Sequence, residues 1–368
     1  MHFTATVESL PSVVPFVGPE TQERVRGRKF RARIGANESV FGPSPQAVEA
    51  MRQAAAEVWK YGDPECHDLK EVLAAFHGVS PRNIVVGEGI DGLYGYAVRL
   101  FVEPGVTVAT SLGAYPTFNF HVTGFGGRLV TVPYRDDHED PEALVALAGA
   151  EAARLIFFAN PDNPMASCWS AGVVQRLIDA VPEGSVLCLD EAYSEFAPPG
   201  TTPALDVSNP RVLRFRTFSK AHGMAGARIG YAIGEAELIR SFDKIRNHFG
   251  VNRIAQAGAL AALEDTAYLA DVIGKVAAAR DRIAVIARAN GLKPLPSATN
   301  FVAIDCGHDG AFARRVLSEL IARDVFVRMP GVSPLDRCIR VSAGTPNDLD
   351  AFAEVLPLAL GAAVGRQP

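Results

Sequence analysis

Residues 212–234 read VLRFRTFSKAHGMAGARIGYAIG. A strand-like apolar run, VLRFRTFS, gives way to a turn of small residues that carries Lys220, and a second run, RIGYAIG, follows. Further runs lie upstream: VLCLDEA from Val186, RLIFFAN from Arg154, RLVTVPY from Arg128, VTVATS from Val106 and NIVVGE from Asn83. Between several of them lie segments with helical spacing, such as LYGYAVRLF from Leu93 and AGVVQRLIDAV from Ala171. Alternation of strand and helix predicts an α/β fold with helices on both faces of one sheet. The near-continuous apolar character of the runs predicts a mostly parallel, doubly wound sheet buried on both sides.

Beyond Arg246 the pattern changes. An Ala-rich stretch from about Ile254 to Ala289 reads as helix. After Pro296 come FVAIDC, a helix around FARRVLSELIARD, the runs DVFVRMP and RCIRVSAG, and a last helix from about Asp348. This predicts a smaller α+β C-terminal domain. The expected division is an N-terminal arm over 1–45 packing with the small domain, a large domain over 46–250, a connecting helix over 251–285 and the small domain over 286–368. The arm shows little periodicity.

The 368 residues suit two domains. With 48% hydrophobic and 21% charged residues the composition is that of a globular protein, and a formal net charge of -5 gives no basic footprint for nucleic acid. No apolar run approaches the roughly 20 residues that span a bilayer, and the N-terminus is a poor signal peptide, because Glu8 interrupts it and no Lys or Arg precedes its apolar part. The five cysteines form no CxxC pair, which argues against a zinc site or disulfide framework and for a reducing, cytoplasmic setting; Cys188 reads as a core residue.

In a doubly wound sheet ligands gather at the carboxyl ends of the strands. Those ends read GEGIDG, SLGAY, ANPDNP, LDEAY and TFSKAHGMAGAR, and together they outline one site. Lys220, just past a strand, can be desolvated so that its amine attacks a carbonyl; an isolated lysine there would read as a surface residue. Asp190 ends a strand, where a carboxylate needs a partner. A protonated pyridine nitrogen is such a partner; a helix cap is the plainer alternative. Tyr193 and Asn163 can reach a phenolic oxygen on the same ring, and Tyr115 can stack on it. Arg228 can pair with a phosphate and Arg340, alternating with Ile339 and Val341, with a carboxylate or an internal acid.

Gly87, Gly89 and Gly92 form GxGxxG between a strand and a helix. That spacing alone suggests a dinucleotide site, but the next strand ends Ala109-Thr110-Ser111, without the acid that would bind a ribose. A helix N-terminus at Gly89, Ile90 and Asp91 suits a single phosphate; a turn with no ligand is the other reading.

The ordered set NESVFGPSP, YGDPECHDLKEVLAAFHGV, GEGIDGL, AYPTF, NPDNP, DEAYSEF, SKAHGMAGARIGY, FVRMPG and RVSAGT resembles the fold-type I pyridoxal-phosphate aminotransferases of class I/II, and within them the histidinol-phosphate branch. The likeness implies pyridoxal 5'-phosphate as cofactor and transfer of an amino group from histidinol phosphate or a related amine to a 2-oxo acid. It implies that Lys220 holds the cofactor and shuttles the proton, with Asp190 on the ring nitrogen, Asn163 and Tyr193 on the phenolic oxygen and Tyr115 on the ring. Gly89, Ile90, Asp91, Ser219 and Arg228 would take the phosphate. Arg340, Arg328 and Asn37 would meet the substrate. Tyr61 would reach the cofactor of a second subunit, so a homodimer with shared sites is implied, with neither nucleic acid nor membrane as partner and no metal. The sequence departs from the family where Pro164 is followed by Met165-Ala166, where Ile90 and Gly92 flank Asp91, and where Ser39-Val40 follow Asn37-Glu38. These positions bear on the substrate; other amino-acid donors, and decarboxylases or lyases on the same scaffold, stay open, as do a nicotinamide oxidoreductase and a ligand-binding regulator.

Overall fold

The computed structural model describes residues 2–12 and 17–365; Met1 and residues 13–16 of the expected arm, and residues 366–368 at the end of the expected small domain, lie outside the described residues. Its strands are β1 (Ala32–Arg33), β2 (Ile84–Gly87), β3 (Thr107–Ser111), β4 (Arg128–Val132), β5 (Leu155–Ala159), β6 (Val186–Asp190), β7 (Val212–Thr217), β8 (Gly230–Ile233), β9 (Lys293–Pro294), β10 (Phe301–Asp305), β11 (Val325–Phe326) and β12 (Cys338–Ser342).

Seven strands form one sheet in the order β2-β8-β7-β6-β5-β3-β4. Side chains alternate between its faces, as strand geometry requires. Val108, Phe157, Cys188 and Phe215 join one apolar cluster, while Ala109, Ile156, Phe158 and Leu187 join another. Both faces are covered, which is why β3, β5 and β6 are buried along their whole length and why Cys188 is a core residue; β4, at the edge, is not. One run departs from the parallel reading. β8 pairs antiparallel with both β2 and β7. The connection from β7 holds only a 3-10 turn at Ala225–Ala227, and a parallel return needs a longer crossover, usually a helix.

A second sheet has the order β12-β10-β9, with Ala303 opposite Arg340 and Phe301 opposite Ser342. β1 pairs in parallel with β11, which ties the N-terminal segment to the C-terminal part of the chain. That segment is also more regular than its sequence suggests. Thr4 caps a helix over Ala5–Ser9, and a second helix, Pro19–Arg26, starts on a proline and stops at Gly27, whose φ is 70°. The Ala-rich stretch is two helices, Arg253–Glu264 and Thr266–Ala289. Asp265 separates them: its side chain accepts the N–H of Tyr268 and caps the second helix. Val272, Val276 and Ile283 of that helix share a core with Phe301 and Val341 of the second sheet. No helix among the described residues is long and apolar enough to cross a membrane.

Candidate active site

The carboxyl ends of β2, β3, β5, β6 and β7 open on one cavity of about 750 Å³, closed from the other side by the segment around Asn37 and by residues 328–332 and Arg340. The structure brings Asn37, Ile90, Asp91, Tyr115, Asn163, Asp190, Tyr193, Ser219, Lys220, Arg228, Arg328 and Arg340 into its wall.

Lys220 is placed by a turn in which the Thr217 hydroxyl accepts the Ser219 N–H at 3.0 Å. Its amine donates to the carbonyl of Asn37 at 3.2 Å. Burial, helped by the Arg340 charge, pushes the Lys220 amine down to about 8, against the pull of Asp91 and Asp190. Asp190 ends β6, and its carboxylate accepts the Ala192 N–H at 2.8 Å. Burial pushes it up to about 6, opposed by the Tyr94 hydroxyl and by that N–H. The cavity thus holds an amine and a carboxyl that are both costly to charge. Tyr193, buried, accepts the Asn37 side-chain amide at 2.9 Å, which leaves its own proton to give elsewhere. Asn163 accepts from Arg340 through Oδ1, so its amide nitrogen is the end left to donate.

At the other end of the cavity the helix Gly89–Phe101 begins with no side-chain cap; Glu88, at its N-cap position, instead accepts the Tyr96 hydroxyl at 3.0 Å. Its first N–H groups are left for an anion. Arg228, held at φ 55°, lies 3.7 Å from Asp91, and Tyr115 donates to Asp91 at 3.1 Å. Gly89 itself does not line the cavity. It lies behind Arg228, where a β-carbon would meet Nη2 at 2.6 Å. A β-carbon on Gly87 would meet Leu93 at 2.7 Å, and one on Gly92 would meet Glu88 at 3.1 Å. Close neighbours thus fill the space beside all three glycines: a core leucine at Gly87 and the ends of long side chains at Gly89 and Gly92.

Arg328 and Arg340 face each other across a backbone bridge, with the Arg340 N–H on the Arg328 carbonyl at 2.6 Å. Burial pushes both guanidinium groups down, and each arginine adds charge to a cavity that already holds the other. Nε of Arg340 is buried in the cavity wall without a hydrogen-bond partner, so it is available to an anion there.

A family model described as aminotransferase class I and II matches residues 33–356. The chain belongs to the class I and II aminotransferases. A histidinol-phosphate aminotransferase of Moorella thermoacetica is 31% identical over 95% of this chain and 91% of its own; one from Mesorhizobium japonicum is 35% identical over 88% and 89%. Among solved structures, histidinol-phosphate aminotransferase from Sinorhizobium meliloti in complex with pyridoxal-5'-phosphate is 55% identical, covers 98% of this chain and 97% of its own, and superposes with a TM-score of 0.95. Aspartate aminotransferase from Thermus thermophilus, 22% identical with a TM-score of 0.79, shares the fold. The aminotransferase works with pyridoxal phosphate, and the donor set fits that group: a depressed amine, a buried acid, a tyrosine hydroxyl and an asparagine amide free to donate, and an uncapped helix beside an arginine.

Tyr61 is outside this cavity. It is 78% exposed, and its ring packs on Phe249 at 4.8 Å. Sequence reasoning missed several residues of the aminotransferase site. Asn300 and Ser342 hold Asn37 from behind, and Tyr134 and Asp162 hold the turn that carries Asn163. Ser342 carried a signal, since it stands two residues beyond Arg340 and so on the same face of β12. Tyr134, at the end of an apolar run, carried none.

Proposed function

We propose that this aminotransferase takes histidinol phosphate as amino donor and a 2-oxo acid such as 2-oxoglutarate as acceptor. The observation that carries this is the pair Arg328 and Arg340, bridged through their backbones and both facing the cavity of Lys220. Two guanidinium groups suit this pair of substrates, one for the donor's phosphate and one for a carboxylate of the acceptor. The names of the relatives support the same donor.

Pyridoxal phosphate, when bound, supplies a ring that draws electrons from the substrate's α-carbon. Lys220 would hold it and, when its amine is free, would move the proton at that α-carbon. Asp190 keeps a proton on the ring nitrogen; a cationic partner there would reverse the upward push of burial on its carboxyl. Tyr193 and Asn163 would donate to the cofactor's phenolic oxygen, and Tyr115 would pack against its ring. The N–H groups of Ile90 and Asp91, with Ser219 and Arg228, would take the phosphate, while Gly89, expected with them, stands behind Arg228. Arg340 grips a carboxylate, Arg328 the donor's phosphate, and Asn37 borders the substrate.

The same reading makes 46–250 a large cofactor-binding domain, 251–285 a connection built of two helices where one was expected, and 286–368 a small domain with the arm, 1–45, against it; the pairing of β1 with β11 supports the last point. It also makes the enzyme a cytoplasmic homodimer. Five free cysteines support the compartment. Exposed Val58, Trp59, Tyr61 and Phe249 support a second copy over that surface, with Tyr61 reaching the other copy's phosphate.

The test is the visible spectrum of the holoenzyme mixed in turn with histidinol phosphate, glutamate and an aromatic amino acid. Bleaching by histidinol phosphate at the lowest concentration is expected. Preference for an aromatic amino acid would make it an aromatic aminotransferase, and release of carbon dioxide from a donor would make it a decarboxylase.

A further inference from the structure

Asn37 adopts φ 57°, a left-handed conformation that L-residues seldom hold, and it is 3% exposed. It is kept there by contacts distant in sequence. Its N–H donates to the Ser342 hydroxyl at 3.0 Å, and that hydroxyl donates back to Oδ1 at 3.2 Å. Its side-chain amide donates to Tyr193 at 2.9 Å. With both ends held, the direction of the Asn37 carbonyl is set, and this carbonyl receives two donors: the amine of Lys220 at 3.2 Å and the side-chain amide of Asn300 at 3.0 Å.

Asn300 is 1% exposed and immediately precedes β10, its own carbonyl accepting the Ala343 N–H at 2.7 Å. Its Oδ1 is buried without a partner. An unsatisfied buried acceptor is destabilising, so packing alone would favour an apolar side chain here. The orientation of the amide follows from chemistry: turned over, it would set oxygen against the carbonyls of Asn37 and Glu38. What the amide does is fix the Asn37 carbonyl. Gly223 completes the arrangement. A β-carbon there would meet the Gly42 carbonyl oxygen at 2.2 Å, so only glycine lets the segment after Asn37 lie against the Lys220 loop.

We infer that Asn300 is a positioning residue which, through the Asn37 carbonyl, sets the resting place of the Lys220 amine whenever that amine is free. The inference rests on the role of Lys220 proposed above. With an N–H given to the carbonyl, the nitrogen lone pair is left to face the substrate, and the proton transfer starts from one geometry instead of many. Ser342 acts in the same way from the other side of Asn37. Neither residue lines the cavity, so each works only through Asn37.

The variants are Asn300→Leu, close in size but without the donor, and Ser342→Ala. The expected result in the holoenzyme is a kcat lower by about two- to tenfold, the size of one lost hydrogen bond, with KM for the donor unchanged. The primary isotope effect with α-deuterated donor should rise, because proton transfer becomes slower relative to other steps. In the cofactor-free protein, formaldehyde with cyanoborohydride should label Lys220 faster at pH 7.5, read by peptide mass spectrometry, because the ammonium has lost a held acceptor. Unchanged labelling and isotope effect, with a lower Tm alone, would reduce Asn300 to a scaffold residue and overturn the inference. If Asn300→Leu does not fold, Ser342→Ala decides by the same two readouts. Retained turnover in Lys220→Ala would instead remove the underlying reading.

Discussion

The α-carbon of Gly89 lies beneath the guanidinium of Arg228, so close that a β-carbon on residue 89 would stand 2.6 Å from Nη2. Gly89 also holds φ 79°, where any side chain is strained by about 1–3 kcal/mol. Arg228 is 46% exposed and can swing away, so Gly89→Ala should fold. The displaced guanidinium would then no longer meet the phosphate. Losing one charge-assisted contact is worth about 1.5–3 kcal/mol, so the Kd for pyridoxal phosphate should rise roughly tenfold to a hundredfold, with a Tm lower by a few degrees. Spectroscopic titration of the cofactor-free variant measures this, and an unchanged Kd would show that Arg228 does not hold the phosphate.

Asp190 gives a prediction in which stability and function part. Its carboxyl is buried and pushed up to about 6 in the folded, cofactor-free protein, above its unfolded value. Between roughly pH 4 and 6 the folded state therefore binds more proton than the unfolded state, and stability falls as pH rises through that window. Asp190→Asn removes the charge, so the cofactor-free variant should gain about 1–3 kcal/mol at pH 7.5 and almost nothing at pH 4. The holoenzyme should lose at least about a hundredfold in kcat, since breaking a buried ion pair costs about 3–5 kcal/mol. Thermal melts at the two pH values and a steady-state assay are sufficient; a variant less stable than the parent at pH 7.5 would contradict the argument.

How much of this was legible beforehand depends on how local each signal is. Asp190 ends a strand, and Lys220 and Asn163 lie in the turns just after strands, and in a doubly wound sheet those positions alone direct attention to them. The helix break at Asp265 was less visible: Ala-rich flanks favour helix throughout, and only the polar step at Asp265 marks a cap. The direction of β8 was hidden, because an apolar run buried on both faces looks the same parallel or antiparallel. Asn300 and Tyr134 act on the site through partners far away in the chain, Asp162 acts through the turn it shares with Asn163, and their residue types there have many uses. The sequence places Gly89 in the phosphate turn, yet its immediate reason is room for Arg228, a neighbour in space that is distant in the chain.

Arg340 and Arg328 should separate the two substrates. Arg340, with a buried and unpartnered Nε, is proposed to take the carboxylate, and Arg328 the phosphate. Arg340→Met should raise KM for 2-oxoglutarate by about ten- to a hundredfold, the size of a charge-assisted contact. Arg328→Met should raise KM for histidinol phosphate by a similar factor and leave glutamate nearly unaffected. Equal effects of either variant on both substrates would mean that the two arginines act as one undivided positive surface.

The turn carrying Asn163 should couple pH to substrate binding. Asp162 Oδ2 accepts the Met165 N–H at 2.9 Å, Oδ1 accepts the Tyr134 hydroxyl at 2.8 Å, and Asn163 beside it receives Arg340. Burial is the main force pushing the Asp162 carboxyl up, to about 7, with Asp190 adding to it and the Met165 N–H, the Tyr134 hydroxyl and Arg340 opposing. The buried Glu139 is raised as well, by burial first and then by Asp162. Tyr134→Phe removes one of the groups that favour the ionised form, so the carboxyl should titrate higher still. Its Oδ1 loses a donor, which costs about 1–3 kcal/mol, and the cost should be greatest above neutral pH, where the carboxylate is charged. The turn would then hold Asn163 less firmly against Arg340. The expected result is a KM for 2-oxoglutarate raised a few-fold at pH 8 and much less at pH 6, with a Tm that falls more steeply with rising pH than in the parent. Asp162→Asn keeps the shape without the charge and should flatten that same slope between roughly pH 4 and 7. Parallel slopes in all three proteins would show that Asp162 does not titrate in this range and that its part is confined to the shape of the turn.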